Sequence, residues 1–300
     1  MQYATYRLSA ETTALLADAG LRPLDIESLA FRALEEDIDD GVDVTTVATV
    51  PIEQRGRLAF VARAAGVIAG QVVAAAIVDV VCGDDREIDF MVEEGAHVEP
   101  GTEVMAIAST THNLLRAERP ALNLLSHLSG IATATDRWVQ AIGDKPARIR
   151  DTRKTIPGLR AVEKYAVRTG GGVNHRMSLA DAALVKDNHI EAAGGVEEAF
   201  LAVRKAFPDV PVEVEVDTLE QFDEVLAAGA DLVLLDNFTV DQMIEAVRRN
   251  GGRARLEASG GLTLDQAADV AATGVDYLAV GALTHSAPVL DIGADLTVLG

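Results

Sequence analysis

The sequence predicts an α/β protein in two parts: a smaller N-terminal domain of helices and short β-hairpins, then a (β/α) barrel of about six or seven parallel strands. Three observations predict it. After residue 142 the chain alternates short apolar runs with amphipathic stretches, the rhythm of right-handed βαβ units around a parallel sheet. Before that point, glycine-punctuated segments with alternating valines take its place. Finally, 300 residues that are 49% hydrophobic suffice for one large α/β domain and a companion. We expect the first domain over residues 1–120, the barrel over 121–285, and a tail, 286–300, that packs back on the first domain.

The N-terminal part has helical spacing from Ile26 to Glu36 and runs into EEDIDDGVDVTT, an acidic stretch read as a loop. GRLAFVARAAGVIAG reads as two strands around a turn at Gly66. VEEGAHVEPGTEVMAIA resembles half of a biotinyl or lipoyl carrier domain, with Gly95 and Gly101 flanking alternating valines. A working carrier needs a lysine at a hairpin tip, and the first lysine of the chain is Lys145. The carrier-like shape is therefore expected without the carrier chemistry. From Arg116 to Ile142, the residues Leu122, Leu125, Leu128 and Ile131 mark the buried face of a long helix.

Six strand-like runs follow: ARIRDTRKT, ALVKDNH, VEVEVDT, DLVLLDNF, RLEASGG and YLAVGAL. Helical patterns lie between several of them, as in GVEEAFLAVRKAF, LEQFDEVLAAG, VDQMIEAVRRN and LDQAADVAATG. Units of roughly 20 to 35 residues suit a barrel better than an open sheet. A barrel enzyme keeps its active site at the C-terminal ends of its strands. Those ends carry Arg153 and Lys154, Lys186 and Asn188, Glu215 and Asp217, Asp236 and Asn237, Glu257 and Ser259, and Gly281.

Composition narrows the function classes. A formal net charge of −21 argues against general nucleic-acid binding, which needs Lys and Arg for phosphate. Between Arg148 and Lys186, however, nine Lys/Arg stand against three Asp/Glu. Such a basic island suits a small anion in a cleft, although a solvated basic helix face would look the same in composition. One cysteine, Cys82, leaves no intrachain disulfide and no Cys-rich zinc site. No apolar run is long enough to span a membrane, and the N-terminus lacks the pattern of a secretory signal. The expectation is a soluble, cytoplasmic protein.

The candidate site residues follow strand by strand. Arg153 and Lys154 could address carboxylate or phosphate, although standing alone they would read as a surface loop. TGGGVNHRMSL adds a glycine run with His175 and Arg176; a lone histidine there is more often structural than catalytic. Lys186 ends an apolar strand, and it could be a cation for an anionic substrate or a Schiff-base nucleophile. Glu215 and Asp236, at the ends of consecutive strands, suit ribose hydroxyls, Mg²⁺ or acid–base work. Ser259, Gly260, Gly261 and Gly281 suit a phosphate held by backbone N–H groups, or else ordinary strand-to-helix turns.

Taken in order and spacing, EEDxxxGVDVTT, ERPALNLLSHLSGIAT, DTRKTIPGLRAVEKYAVRTGGGVNHRMSLADAALVKDNHI, EVEVDT, LLDNF and EASGG resemble the quinolinate phosphoribosyltransferase family over about residues 30 to 290. The resemblance implies an N-terminal α/β sandwich, an irregular (β/α) barrel, and a homodimer whose active site the neighbouring copy completes. It implies quinolinate and phosphoribosyl pyrophosphate (PRPP) as substrates, with Mg²⁺ accompanying PRPP. Arg153, His175, Arg176 and Lys186 would hold the two carboxylates of quinolinate, with Lys154 between them and the pyrophosphate. Arg119 would come from the second subunit. Glu215 and Asp236 would face ribose and Mg²⁺, and Ser259, Gly260 and Gly281 the 5′-phosphate; Lys154, Glu215 and Asp236 would be the catalytic groups. Two rivals remain, a phosphoribosyltransferase for another aromatic carboxylate such as nicotinate, and a barrel aldolase using Lys186.

Overall fold

The structure, a computed structural model, describes residues 5–39 and 41–299. The chain divides into two compact units, one formed by residues up to 134 with 161–170 and 287 onward, the other by 135–160 and 171–286.

The first unit opens with α1 (Ala10–Asp18), α2 (Pro23–Ile38) and α3 (Val44–Thr49). Each start has a local cause. The Ser9 hydroxyl accepts the Thr12 N–H at 3.0 Å, and Asp43 accepts from Thr45 and Thr46. Pro23 begins α2 where a missing N–H costs nothing. The acidic stretch read as a loop is therefore helical at both ends, because α2 runs on to Ile38 and Asp43 caps a further helix. Next come β1 (Arg55–Ala62), β2 (Gly66–Val67), α4 (Gln71–Cys82), β3 (Glu87–Phe90), β4 (His97–Val98) and β5 (Glu103–Thr110). Helix α4 is apolar almost all round and buried along nearly its whole length. Its one carboxylate, Asp79, is covered by Arg86 and by the Ser9 N–H at 2.8 Å.

The long α5 (Thr111–Ile142) follows, and α6 (Arg160–Thr169) and β12 (Ile292–Val298) complete the unit. Four strands form an antiparallel sheet in the order β12-β1-β5-β3, with Phe60 opposite both Ala294 and Met105. Strands β2 and β4 pair separately, so β1 and β2 do not make the expected hairpin at Gly66. Gly66 serves close packing instead: a Cβ there would meet Leu290 Cδ1 at 2.6 Å and Thr133 Oγ1 at 2.7 Å. On α5, Ser129 and Thr133 accept the N–H groups of Ala69 and Val67 at 3.0 and 2.8 Å.

The second unit carries β6 (Arg148–Arg150), β7 (Ala183–Val185), α7 (Asp187–Ala193), α8 (Val196–Ala206), β8 (Val212–Val216) and α9 (Leu219–Ala227). It continues with β9 (Leu232–Asp236), α10 (Val240–Asn250), β10 (Arg255–Ser259), α11 (Ala267–Ala272), β11 (Tyr277–Ala279) and α12 (Ala282–His285). All six strand-like runs form strands. They make one parallel sheet in the order β6-β11-β10-β9-β8-β7. A single parallel bridge joins Arg150 to Val173. The sheet is rolled, because Arg150 on β6 reaches Glu213 on β8 at 3.7 Å although three strands separate them in the order. That rolling makes the irregular barrel and directs side chains of distant strands into one interior.

Three successive strands end in the same device. TLEQ, TVDQ and TLDQ follow β8, β9 and β10, and Thr218 and Thr239 accept the N–H of the glutamine three residues on. The glutamines return the bond: Gln242 and Gln266 accept the N–H of Thr239 and Thr263, and Gln221 that of Asp217. These reciprocal caps start each following helix at a fixed place and so set the upper rim of the barrel.

Packing of the first unit is least forgiving at Gly130. A Cβ there would lie 2.1 Å from the Pro288 carbonyl oxygen and 2.9 Å from Val289 Cα, both main-chain atoms. Gly130→Ala is expected to destabilise the protein by about 1–3 kcal/mol or more despite alanine's better helix propensity. Urea unfolding would check this, and an unchanged or raised midpoint would contradict it.

Candidate active site

The C-terminal strand ends of the second unit surround a pocket of about 380 Å³. Its walls bring together Arg153, Lys154, His175, Arg176, Lys186, Glu215, Asp236 and Ser259, eight of the residues singled out from sequence. Thr152, Leu184, Leu234, Glu257 and Ala279 also line it. Gly260, Gly281 and Arg119 are not among the lining residues. Arg119 lies on α5 in the first unit, largely exposed, with its guanidinium 3.4 Å from the Glu118 carboxylate.

Several contacts shape the cationic side. The Lys154 N–H donates to Thr152 Oγ1 at 3.0 Å, and the Thr284 hydroxyl donates to the Lys154 carbonyl at 2.8 Å. Gly281 leaves room for this lysine, since a Cβ there would meet Lys154 Cδ at 3.0 Å. Arg176 Nη1 donates to the Ala182 carbonyl at 2.8 Å, which leaves the rest of its fork for other partners. The Nε atoms of Arg153 and Arg176 are buried without a hydrogen-bond partner. Burial pushes Arg176 below the usual guanidinium value, and the neighbouring Arg153 charge pushes it further the same way. Two desolvated cations with unspent donors form an anion site.

On the opposite side, Glu215 is ion-paired with Lys186, and Asp236 accepts from the Asn237 side chain at 2.6 Å. An ammonium held by a carboxylate is a poor amine nucleophile, which speaks against a Schiff base at Lys186. The two carboxylates are hard oxygen donors at a pocket wall, a set that fits Mg²⁺ shared with substrate phosphate. At the end of β10 the backbone turns through Gly260 at φ +93°. A side chain is barred there, because a Cβ would lie 2.2 Å from Asn237 Oδ1.

Beneath the pocket lies a buried polar cluster that sequence reading passed over in part. Arg150 hydrogen-bonds Glu257, and Glu213 Oε2 is 2.8 Å from His175 Nε2. Both His175 ring nitrogens are engaged, since Nδ1 accepts the Arg176 N–H at 2.7 Å. The ligand atoms of His175, Glu213 and Glu257 lie within 4.8 Å of one another, a spacing that a metal could use. The Arg150 guanidinium already stands among them as the cation. Both carboxyls are raised to about 7, chiefly by burial; Glu213 adds to the rise at Glu257, and Arg150 opposes it at both. Strand periodicity could have found Glu213, because in VEVEV it points to the same face as Glu215. Arg150 likewise lies two residues from Thr152 on the run that ends in Arg153.

The comparisons with known proteins cover both units. Residues 43–129 match the family model for the N-terminal domain of quinolinate phosphoribosyl transferase, and residues 131–295 match that for its C-terminal domain. The chain belongs to the quinolinate phosphoribosyltransferase family. It is 54% identical over 269 residues to a nicotinate-nucleotide pyrophosphorylase (carboxylating) of Mycobacterium leprae, covering 88% of this chain and 95% of the relative. A chloroplastic nicotinate-nucleotide pyrophosphorylase (carboxylating) of Arabidopsis thaliana is 37% identical, with 95% of this chain and 88% of the relative covered. Among solved structures, NadC from Streptococcus pyogenes superposes with a TM-score of 0.89 at 38% identity, covering 93% of this chain and 99% of that one. The resemblance carried by the DTRKT, NHRMS and EASGG runs is thus a family relationship along nearly the whole chain.

The raised Glu257 carboxyl has a measurable consequence for stability. Between its ordinary value of 4.5 and about 7, the folded protein keeps a proton there that the unfolded chain has released. Stability from this group is complete below the unfolded value and is lost as pH rises through the folded one. The unfolding free energy of the wild type, set against Glu257→Gln, should therefore fall between about pH 5 and pH 7 and level off above. A difference that rises with pH, or none, would contradict the buried, proton-holding state.

Proposed function

We propose that this chain transfers the phosphoribosyl group of PRPP to quinolinate with decarboxylation, giving nicotinate mononucleotide, pyrophosphate and CO₂. That makes it a pentosyltransferase of de novo NAD biosynthesis. The observation that carries this reading is the pair Arg153 and Arg176, with unspent buried donors facing one pocket, in a chain of this family.

Quinolinate is a dianion and PRPP a polyanion, so their encounter needs several fixed cations in a site poor in water. Arg153, Arg176 and Lys186 face the two carboxylates, with His175 in the wall beside them. Lys154 stands between those carboxylates and the pyrophosphate. The pyridine nitrogen attacks the anomeric carbon with its own lone pair, so no general base is required. As pyrophosphate leaves, positive charge develops on the sugar, and Glu215 and Asp236 stabilise it electrostatically. Glu215 and Asp236 would hold Mg²⁺, mainly through PRPP, and the ion would help neutralise the leaving group when bound. The resulting pyridinium is an electron sink: the adjacent carboxylate leaves as CO₂, and the electron pair left on the ring carbon takes a proton from solvent. Ser259, Gly260 and Gly281 cradle the 5′-phosphate. Positioning and charge account for the rate, with no covalent enzyme intermediate.

A second copy of the chain would supply Arg119, which is exposed on its own unit and absent from the pocket lining, making the enzyme a homodimer. No described helix is long and apolar enough to cross a membrane. With a single, buried cysteine, the chain suits the reducing cytoplasm.

Pure protein with quinolinate, PRPP and Mg²⁺ should yield nicotinate mononucleotide and CO₂, while nicotinate in place of quinolinate should not react. Arg153→Ala and Arg176→Ala should each lower kcat/KM by about 30-fold or more, because each removes one partner of a buried charge contact. Turnover of nicotinate would overturn the dicarboxylate assignment. No turnover of either, with a borohydride-trapped carbonyl adduct at Lys186, would overturn the reaction class.

A further inference from the structure

Glu213 lies on β8, two residues before Glu215, and is 3% exposed. The imidazole beside it is held on every polar side. The main-chain N–H of His175 donates to Asp151 Oδ1 at 2.8 Å and fixes the backbone that carries the ring, while the ring Nδ1 accepts the main-chain N–H of Arg176 at 2.7 Å. A ring nitrogen that accepts an N–H carries the lone pair, so the ring hydrogen of neutral His175 resides on Nε2. Nε2 is 2.8 Å from Glu213 Oε2.

We propose that Glu213 is a positioning residue for quinolinate. By accepting Nε2–H it holds His175 in the one tautomer whose Nδ1 can receive the Arg176 N–H, and so it aims the Arg176 guanidinium into the pocket. The opposite tautomer would set Nδ1–H against the Arg176 N–H, two donors face to face, and displace the main chain at the residue that faces a substrate carboxylate. The rest of the cluster keeps Glu213 available. Arg150 is bonded to Glu257 and stays 3.7 Å from Glu213 Oε1, so it does not draw Glu213 away from the imidazole. Stacking of Arg150 over the Tyr277 ring, 4.8 Å from its centroid, further fixes the guanidinium. The chain of dependence runs from Arg150 and Glu257 through Glu213 to His175, Arg176 and finally the substrate carboxylate.

This role, which rests on reading the pocket as the quinolinate site, separates the two substrates of the reaction. Glu213→Leu removes the acceptor at similar volume, whereas Glu213→Gln keeps a carbonyl oxygen that can accept Nε2–H. Steady-state kinetics would be measured on the purified full-length enzyme with each substrate varied in turn. Histidine ring ¹⁵N resonances would be recorded alongside, with His175 assigned from His175→Asn. For Glu213→Leu, the quinolinate KM should rise about tenfold or more while the PRPP KM stays within about twofold. For Glu213→Gln, the quinolinate KM should return to within about threefold of wild type. The His175 resonances should report Nε2–H in the wild type and in Glu213→Gln, and a mixture in Glu213→Leu. Equal rises in both KM values, or no rise in either, would overturn the proposal, as would Nδ1–H or a doubly protonated ring in the wild type. Should Glu213→Leu not fold, the wild-type spectrum and the Glu213→Gln kinetics decide by the same criteria. A wild type inactive on quinolinate would instead sink the functional reading itself.

Discussion

Arg150 is the charge around which the catalytic unit is arranged. A guanidinium does not lose its proton in a protein interior, so burying one forces carboxylates to gather about it. Glu257 meets it directly and Glu213 stands nearby, and these residues come from β10 and β8, well away from β6 in the sheet order. An interaction that can form only when the sheet is rolled is one reason for the barrel to hold its curvature. The same cluster has too little positive charge to keep both carboxylates ionised, so burial leaves at least part of it protonated near neutrality.

Above that layer the logic reverses. Arg153 and Arg176 carry buried Nε donors that no group among the described residues satisfies, and their like charges repel. Such a pocket is built for a ligand rather than for its own stability, which is common where a fold meets its chemistry. The fixed cations above and the neutralised carboxyls below thus divide the work. One layer offers fixed positive charge to an anion, and the other keeps its frame in place.

Much of the second unit was legible because its rules are local. Each strand-like run was short, apolar and followed by polar residues, and the barrel rule then placed Arg153, Lys186, Glu215 and Asp236 at one mouth. What escaped was long-range or hidden by uniform composition. Helix α4, QVVAAAIVDVVC, is apolar almost all round and so shows no clear 3.6-residue rhythm, although it is a helix from Gln71 to Cys82. Gly66 looked like a turn because glycine favours turns, yet its reason is the approach of Leu290, more than two hundred residues away. The repeated T-x-x-Q caps were visible in the sequence and went unread. Glu213 belongs to the alternation VEVEV, but the barrel rule selects only its neighbour at the strand end, Glu215.

The pairing of β12 with β1 has a consequence for how the protein is made. Strand β1, RGRLAFVA, is apolar beyond its two arginines, and among the described residues one of its edges is covered by β12. More than two hundred residues separate the two strands, so from the synthesis of β1 until that of β12 the first unit carries an open edge of the kind that invites pairing with other chains. Nascent chains and products truncated before Ile292 share this exposure. Quality control of this enzyme therefore bears on β1 and β12 together, because the unit that holds β1 stays incomplete until β12 is made.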